Sequence, residues 1–305
     1  SAWVLVGGTA LAAHLNVHRS LADIDINYLD GNLDAAVEDL NERLRVPNRD
    51  GLIYVLNEDV NTELLVGGSF SMQVKKGETP LTDIQLDIGV NRALIQPPVS
   101  LAEPFIPEAN LPYQGVVVAH QAEILTDKLL AMFKPETFPD GRSRIVDRFK
   151  DMLDAVAIEQ QLKIDAEILA ALLNAKADQD GVDLNNLKLA SERRWRLAYG
   201  REMVKSPSLA VTLPPFDEAY GSLRLMCNSA LSGAKGIWNS EEQVFRPDPV
   251  SAAQDSAPRG SSNVRLSDVN PEIARMAKKL PHAIGGSYDP YGPAMSGKTG
   301  GRRGR

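Results

Sequence analysis

The chain contains 305 residues, of which 43% are hydrophobic and 24% are charged, so it can form one large domain or two medium ones with a real apolar core. No apolar run approaches the length that spans a bilayer, which argues against a membrane protein. A single cysteine excludes an intrachain disulfide and a cysteine-rich zinc site, and it suits a cytoplasmic location. Residues 251–305 contain nine basic and four acidic residues and therefore carry a net charge of +5. Because the whole chain carries a net charge of −7, residues 1–250 carry −12. This acidic body argues against broad nonspecific binding to nucleic acids.

A glycine turn followed by two acids is the first motif that indicates chemistry. A short apolar strand predicted over residues 3–6 leads into Gly7-Gly8-Thr9 and a helix-like segment, and Asp23-Ile24-Asp25 follows. Glycines let backbone N–H groups approach a triphosphate closely. Two acids that stand two residues apart on a strand face the same side and can reach one Mg²⁺. A glycine turn beside a solvated acid pair is the alternative interpretation.

A third acid strengthens the case for a metal site. The periodicity predicts a helix at 34–44, strands at 52–56, 63–75, 84–90 and 115–119, and a proline-rich connection at 94–112. Asp87 stands among apolar residues of the 84–90 segment, where an unpaired buried carboxylate would be costly. We therefore expect Asp87 to face a metal with Asp23 and Asp25, as general base or as ligand of the catalytic ion. An exposed acid on the strand surface is the alternative.

A lysine follows on the next predicted helix, which spans residues 120–133. Lys128 stands at the edge of its apolar face, where a lysine can place its ammonium over phosphates while its stem packs on the helix. The alternative is a surface lysine paired with Glu123 or Asp127. Glu123 is itself either a partner of Lys128 or a first-turn acid that the helix dipole favours.

A further helix is predicted to begin with Ser143 as its N-cap. Arg148 and Asp151 stand three residues apart and so share one face of it. They form either a surface ion pair or a pair close to the nucleotide, in which Arg148 orients Asp151. Asp154 competes with Asp151 for the same role.

Two basic clusters could form a local cleft for nucleic acid. The first consists of Arg142, Arg144, Arg148 and Lys150. The second consists of Arg193, Arg194, Trp195, Arg196, Tyr199 and Arg201. The aromatic residues of the second cluster could stack on bases. The alternative is an amphipathic helix whose Trp195 and Leu197 pack inward.

The C-terminal part changes character along its length. Helices are predicted at 164–175 and 187–204, and residues from 246 onward are rich in Ser, Pro and Gly and are expected to be largely disordered, apart from a short helix at 271–280. Residues 292–299 satisfy the P-loop pattern Gly-x4-Gly-Lys-Thr. We reject a P-loop there, because neither a strand before it nor a helix after it can form.

Three segments together resemble one enzyme family. Gly7-Gly8-Thr9-Ala10-Leu11 with Arg19-Ser20 and Asp23-Ile24-Asp25-Ile26 resembles the opening motif of the polymerase-beta-like nucleotidyltransferase superfamily, and more closely that of the AbiEii/AbiGii toxin family. Residues 122–131 resemble the family helix whose lysine contacts the triphosphate, and residues 147–154 resemble its Arg-x-Lys-Asp-x-x-Asp helix. The resemblance covers about residues 3–160.

The fold class implied is α/β (α+β), with a mixed sheet in a nucleotidyltransferase core, a helical C-terminal lobe and a disordered tail. The expected domains are a core at 1–119, a helical lobe at 120–245 that completes the nucleotide site, and a low-complexity tail at 246–305. The implied catalytic residues are Asp23, Asp25, Asp87, Lys128 and Asp151. The implied nucleotide-binding residues are Gly7, Gly8, Thr9, Lys128 and Arg148, and the implied ligands of two Mg²⁺ ions are Asp23, Asp25 and Asp87.

The resemblance also implies a biological role. The enzyme would move a nucleoside monophosphate from an NTP to an acceptor hydroxyl, as the toxin of a toxin–antitoxin or abortive-infection system. The implied partners are an NTP, an RNA acceptor such as tRNA, and a cognate antitoxin, with no membrane. Two alternatives remain, namely transfer to a small molecule or a protein, and a non-catalytic binding relic of the fold, against which the intact set of three acids argues.

Overall fold

A computed structural model describes residues 2–15, 21, 23–45, 51–57, 67–90, 93–101, 115–137, 143–145, 148–187, 189 and 191–248. The strands of this described part are β1 Trp3–Leu5, β2 Asp23–Tyr28, β3 Leu52–Leu56, β4 Gly67–Lys76, β5 Thr79–Val90, β6 Val99–Leu101, β7 Val116–Val118, β8 Pro135–Thr137, β9 Ser143–Ile145, β10 Ile237–Asn239 and β11 Val244–Arg246. The helices are α1 Gly7–His14, α2 Leu33–Leu44, α3 Gln121–Phe133, α4 Phe149–Gln161, α5 Ala166–Asp180, α6 Glu192–Lys205, α7 Pro207–Thr212 and α8 Phe216–Leu231, with a 3-10 turn at Leu184–Asn186.

Seven strands form one mixed sheet in the order β3-β4-β5-β2-β1-β7-β6. The strand β2 runs parallel to β5 and antiparallel to β1, and β1 runs parallel to β7. The predicted mixed α/β fold is therefore confirmed. The parallel register of β2 and β5 sets Asp25 directly opposite Asp87, so the two acid-bearing strands are neighbours.

One face of this sheet is buried under α2. The apolar core there contains Ile26, Leu56, Phe70, Met72, Leu86, Ile88 and Val90 from the strands and Ala36 from the helix. The alternation of strand residues turns Ile24, Ile26, Leu86 and Ile88 towards this core. The acids that alternate with them therefore project from the opposite face of the sheet, which is where a site can open to solvent.

The helix α4 packs against α3, α6 and α8 in the second half of the molecule. Met152, Leu153, Val156 and Ile158 are almost completely buried, so α4 is the central helix of this part of the molecule. The same apolar core continues into α3, α5, α6 and α8 and also includes residues of β1 and α1. Burial of each large apolar side chain contributes roughly 1.5–3 kcal/mol. The proposed division of the chain at residues 119 and 245 stays a prediction.

The element bounds differ from the predicted ones mainly before α4. Ser143 is not an N-cap: it begins strand β9, which pairs with β8, and α4 starts at Phe149 after Arg148. The spacing of Ile145 and Phe149 matched a helix, but the antiparallel pairing holds residues 143–145 extended. The predicted helix at 187–204 begins later, at Glu192.

The other predicted elements agree with small shifts. The helix at 34–44 begins one residue earlier, and the strand at 52–56 has the predicted bounds. The strand at 84–90 is the end of the longer β5, and the connection at 94–112 contains β6. The predictions for 249–305, including the helix at 271–280 and the P-loop-like segment, lie outside the described residues. Among the described helices, none is at once long enough and apolar enough to cross a bilayer.

Candidate active site

Asp23, Asp25 and Asp87 come together at one point of the open sheet face. One carboxylate oxygen of each lies within 4.8 Å of the others, and all three side chains are partly buried. Mg²⁺ prefers oxygen ligands at about 2.0–2.1 Å, and carboxylates are among the ligands that would hold it in a protein. Three carboxylates at this spacing fit a hard divalent cation.

The electrostatics of Asp25 agree with this fit. Burial raises the pKa of Asp25 above its usual value, and the negative charges of Asp23 and Asp87 raise it further. The backbone N–H of Gly8 and the charge of Lys128 lower the pKa of Asp25 and so act in the opposite direction. The cluster therefore holds more negative charge than its surroundings compensate, and a bound cation would relieve this repulsion.

The glycine turn holds the acid-bearing strand in place. Gly7 has a φ of +56°, and a Cβ atom added to it would lie 2.4 Å from Oδ2 of Asp25. The N–H of Gly8 donates to Oδ2 of Asp25 at 3.0 Å. Thr9 Oγ1 accepts from the N–H of Asp25 at 3.0 Å and donates to the carbonyl of Asp23 at 3.4 Å. Sequence reasoning assigned this motif to the phosphates and missed its contacts with the acids.

Two polar residues on β4 and β5 contact Asp87 and were not predicted. The hydroxyl of Ser69 donates to Oδ1 of Asp87 at 2.6 Å. The side-chain amide of Gln85 donates to Ser69 Oγ and, at 3.4 Å, to the same Oδ1. These contacts arise from the antiparallel register that sets Ser69 opposite Asp87, which no local period in the sequence encodes.

Lys128 lies in a buried ion-pair cluster between α3 and α4. Its Nζ is 2.8 Å from Oδ1 of Asp151 and 3.0 Å from Oδ2 of Asp154, and the exposed fractions of these side chains are 12%, 5% and 2%. Arg148 Nε lies 2.6 Å from the second oxygen of Asp151. Asp151 and Asp154 therefore do not exclude one another, because both bind the same lysine.

The charges within this cluster stabilise one another. Burial acts to lower the pKa of Lys128, but the carboxylates of Asp154 and Asp151 outweigh it and raise the pKa above its usual value. Burial acts to raise the pKa of Asp151, but Lys128 and Arg148 hold it below its usual range. Lys128 and Asp151 are consequently both ionised at neutral pH.

The predicted partners of Lys128 belong to another ion pair. Glu123 lies 2.9 Å from Lys176 Nζ and accepts from the backbone N–H groups of Ile95 and Gln96. Asp127 lies 2.7 Å from the same ammonium. The alternative prediction that Lys128 pairs with Glu123 or Asp127 is therefore wrong. Glu123 instead connects residues 95 and 96 to α3 by hydrogen bonds.

The second basic cluster cannot use its aromatic residues for stacking on bases. Trp195 and Tyr199 are buried, Trp195 packs edge-on against Phe149 with 4.9 Å between ring centroids, and the hydroxyl of Tyr199 donates to the carbonyl of Pro214. The alternative prediction was right for Trp195 and wrong for Leu197, which is 57% exposed.

The first basic cluster is described only in part. Arg148 binds Asp151, and Lys150 is exposed. Arg142 lies outside the described residues.

The chain is similar to a known protein family and to solved structures. The family described as "Nucleotidyl transferase AbiEii toxin, Type IV TA system" matches residues 1–222. No curated protein gives a significant sequence match. The solved structure of JHP933 from Helicobacter pylori is 16% identical, covers 84% of this chain and 89% of its own, and superposes with a TM-score of 0.42. MenT4, a nucleotidyltransferase toxin from Mycobacterium tuberculosis H37Rv, is 16% identical over 75% of this chain and 84% of its own, with a TM-score of 0.44.

The family match includes every residue of the candidate site, from the glycine turn to Asp154, and it extends over more than half of the chain. The protein is therefore a member of the AbiEii nucleotidyl transferase family, whose members are toxins of type IV toxin–antitoxin systems.

Proposed function

We propose that this nucleotidyltransferase is Mg²⁺-dependent and that Asp23, Asp25 and Asp87 hold the metal. The observation that carries this proposal is the approach of the three carboxylates within 4.8 Å on adjacent parallel strands. The donor set consists of hard oxygen ligands, which is what Mg²⁺ prefers. Two bound ions would activate the attacking oxygen and stabilise the leaving pyrophosphate.

In the proposed reaction, an acceptor hydroxyl attacks the α-phosphorus of an NTP. The new bond joins the acceptor oxygen to this phosphorus, and the bond from the phosphorus to the pyrophosphate oxygen breaks. Asp87 accepts the hydroxyl proton or serves as a ligand on the acceptor side. Its place on β5, beside the acid pair of β2, supports either role.

Lys128 is proposed to bind the triphosphate. An ammonium carries three N–H groups, and in this structure Asp151 and Asp154 accept two of them. The carboxylates thus fix the direction of the third N–H and keep the lysine charged. The effect of Lys128 on the pKa of Asp25 supports a location close to the acid cluster. Arg148 is proposed to act through Asp151 and to contact the nucleotide.

The glycine turn is proposed to contribute to the same phosphate site. Gly7, Gly8 and Thr9 form the first turn of α1, whose leading N–H groups have no partner within the helix. The N–H of Gly8 already binds Asp25, so the amides of Gly7 and Thr9 are the proposed phosphate donors.

The biological part of the proposal rests on the family. A type IV toxin–antitoxin system contains an antitoxin, which we propose as the regulatory partner of this chain. We propose RNA, for example tRNA, as the acceptor and the cytoplasm as the location, since NTPs, Mg²⁺ and RNA are available there together.

The direct test is incubation with each α-³²P-labelled NTP, Mg²⁺ and total cellular RNA. We expect label on one RNA size class, lost with EDTA and in Asp23→Asn. Asp83→Asn is the matched control, because it removes an exposed carboxylate from β5 outside the cluster. Persistent labelling by a folded Asp23→Asn variant would refute the metal assignment. Label on protein or on a small molecule, with none on RNA, would replace the proposed acceptor.

A further inference from the structure

We propose that Ser69 and Gln85 are positioning residues for Asp87, and that they fix which of its oxygens faces the metal and the acceptor. This inference rests on the proposed function and adds two residues to its site. Neither residue belongs to the glycine, acid or lysine motifs of the sequence.

The contacts converge on a single oxygen atom. Ser69 donates to Oδ1 of Asp87 at 2.6 Å, and Gln85 donates to Ser69 and, at 3.4 Å, to the same Oδ1. Gln85 therefore orients the hydroxyl of Ser69 as well as contacting the acid. Both donors lie on the open face of the sheet, where Ser69 is paired with Asp87 across β4 and β5 and Gln85 is two residues before Asp87.

This arrangement leaves Oδ2 of Asp87 as the oxygen that neither donor contacts. A carboxylate on an exposed sheet face can rotate about its terminal torsion, because that torsion is broad. Two donors on one oxygen remove this freedom and keep the second oxygen in a constant direction. Donors around metal-binding carboxylates commonly orient them in this way, and their loss typically weakens metal binding or activity by about 10–100-fold.

The same sheet face supplies matched controls. Ser71 lies on the same face of β4, two residues beyond Ser69, and contacts Asn57 instead of an acid of the cluster. Gln73 contacts Asp83 as Gln85 contacts Asp87. Loss of the hydroxyl of Ser71 or the amide of Gln73 therefore imitates the chemical change without reaching Asp87.

The experiment compares Ser69→Ala, Ser69→Thr, Gln85→Ala, Ser71→Ala and Gln73→Ala by two readouts. The first is binding of Mn²⁺ alone, followed by the loss of the free-ion EPR signal. The second is kcat and KM for nucleotidyl transfer. We expect Ser69→Ala to weaken Mn²⁺ binding and to lower kcat by about 10-fold each, with KM for the NTP nearly unchanged. Gln85→Ala should have a smaller effect in the same direction, and Ser69→Thr, which keeps the hydroxyl, should restore both values.

The outcomes separate this inference from the proposed function. Equal losses in Ser69→Ala and Ser71→Ala would indicate a general weakening of the sheet and would overturn the positioning role. Normal Mn²⁺ binding and kcat in both Ser69→Ala and Gln85→Ala would overturn it as well, while the transfer reaction of the unmodified chain would stand. If the unmodified chain transferred no nucleotide but Ser69→Ala alone weakened Mn²⁺ binding, the positioning of Asp87 would be supported and the proposed reaction would fail.

Discussion

The ammonium of Lys128 on α3 lies 2.8 Å from a carboxylate oxygen of Asp151 on α4, and both side chains are largely buried. Asp154, one turn further along α4, binds the same ammonium at 3.0 Å. One cation therefore compensates two buried carboxylates, with additional support from Arg148. Because the charges depend on each other, this part of the proposed nucleotide site is also a determinant of stability.

Replacement of Lys128 by Met should destabilise the fold by about 3–5 kcal/mol, since two carboxylates would remain buried with one cation fewer. The matched control is Lys134→Met, which removes a lysine just past the end of the same helix. Lys134 pairs with Asp180 at 2.7 Å, but its side chain is 35% exposed, so we expect a loss below about 1 kcal/mol. Urea unfolding at pH 7 measures both, and equal losses would contradict the buried-pair argument.

The ion pairs of this cluster should also make the stability of the fold depend on pH. The pKa of Asp151 is lower in the folded chain than its usual value, so its ion pair stabilises the fold above about pH 4 and this contribution disappears as the pH falls further. The raised pKa of Lys128 means that its contribution is complete below about pH 10 and is lost only at higher pH.

In Lys128→Met the sign of the acid effect should reverse, because two buried carboxylates would share one cation fewer and protonation would relieve the excess negative charge. The stability gap between this variant and the unmodified chain should therefore shrink as the pH falls from 7 to 4. Urea unfolding at three pH values in this range tests this, and a constant gap would show that the effect is not electrostatic.

Gly7→Ala should damage the acid cluster in addition to straining the backbone. The positive φ of Gly7 costs an alanine roughly 1–2 kcal/mol, and the new Cβ would lie 2.4 Å from Oδ2 of Asp25. Gly77 is the matched control: its φ is +59°, but nothing lies within 4 Å of an added Cβ. We expect similar backbone costs in both variants by thermal unfolding, and loss of nucleotidyl transfer only in Gly7→Ala. An active Gly7→Ala enzyme would contradict the contact with Asp25.

Local patterns were sufficient to predict the acid pair and the elements that carry it. Period-two alternation places Asp23 and Asp25 on one face and turns Ile24 and Ile26 to the other, and this depends only on strand geometry. The approach of Asp87 to them followed because burial of a lone carboxylate is costly. Both inferences rest on the alternation of side chains along a strand and on the cost of burying a charge, which can be judged from the sequence of each strand.

The remaining contacts of the site depend on packing between distant segments. The pairing of Ser69 with Asp87 follows from the register of β4 and β5, and the pairing of Lys128 with Asp154 follows from the approach of α3 to α4. The error at Ser143 has the same origin, since pairing with β8 overrides the local capping signal. The prediction that Leu197 packs inward with Trp195 is wrong because residues two apart on a helix do not share a face.

Trp195→Ala should lower stability by about 3–5 kcal/mol, because it empties a buried position that packs against Phe149. Leu197→Ala, two residues away on the same helix and largely exposed, should change stability by less than about 0.5 kcal/mol. Chemical denaturation gives both values. Acrylamide quenching of tryptophan fluorescence, compared between the unmodified chain and Trp195→Phe, provides a further check. If the substitution removes a readily quenched component of the emission, Trp195 is accessible to solvent and the packing described for α6 is wrong.

Asp25→Asn should separate stability from activity. The charge of Asp25 is disfavoured by burial and by its neighbours Asp23 and Asp87, so a neutral amide of the same shape should raise the melting temperature measured in EDTA. Addition of Mg²⁺ should then raise the melting temperature of the unmodified chain and leave that of the variant nearly unchanged, because a ligand stabilises only a folded state that binds it. The rate of nucleotidyl transfer should fall by at least about 100-fold, because loss of a residue that only orients a metal ligand already costs about 10–100-fold.

Asp83→Asn, outside the cluster, should keep both the Mg²⁺ response and the activity. A lower melting temperature for Asp25→Asn in EDTA would show that the carboxylate stabilises the fold through its contact with Gly8 more than its charge opposes it.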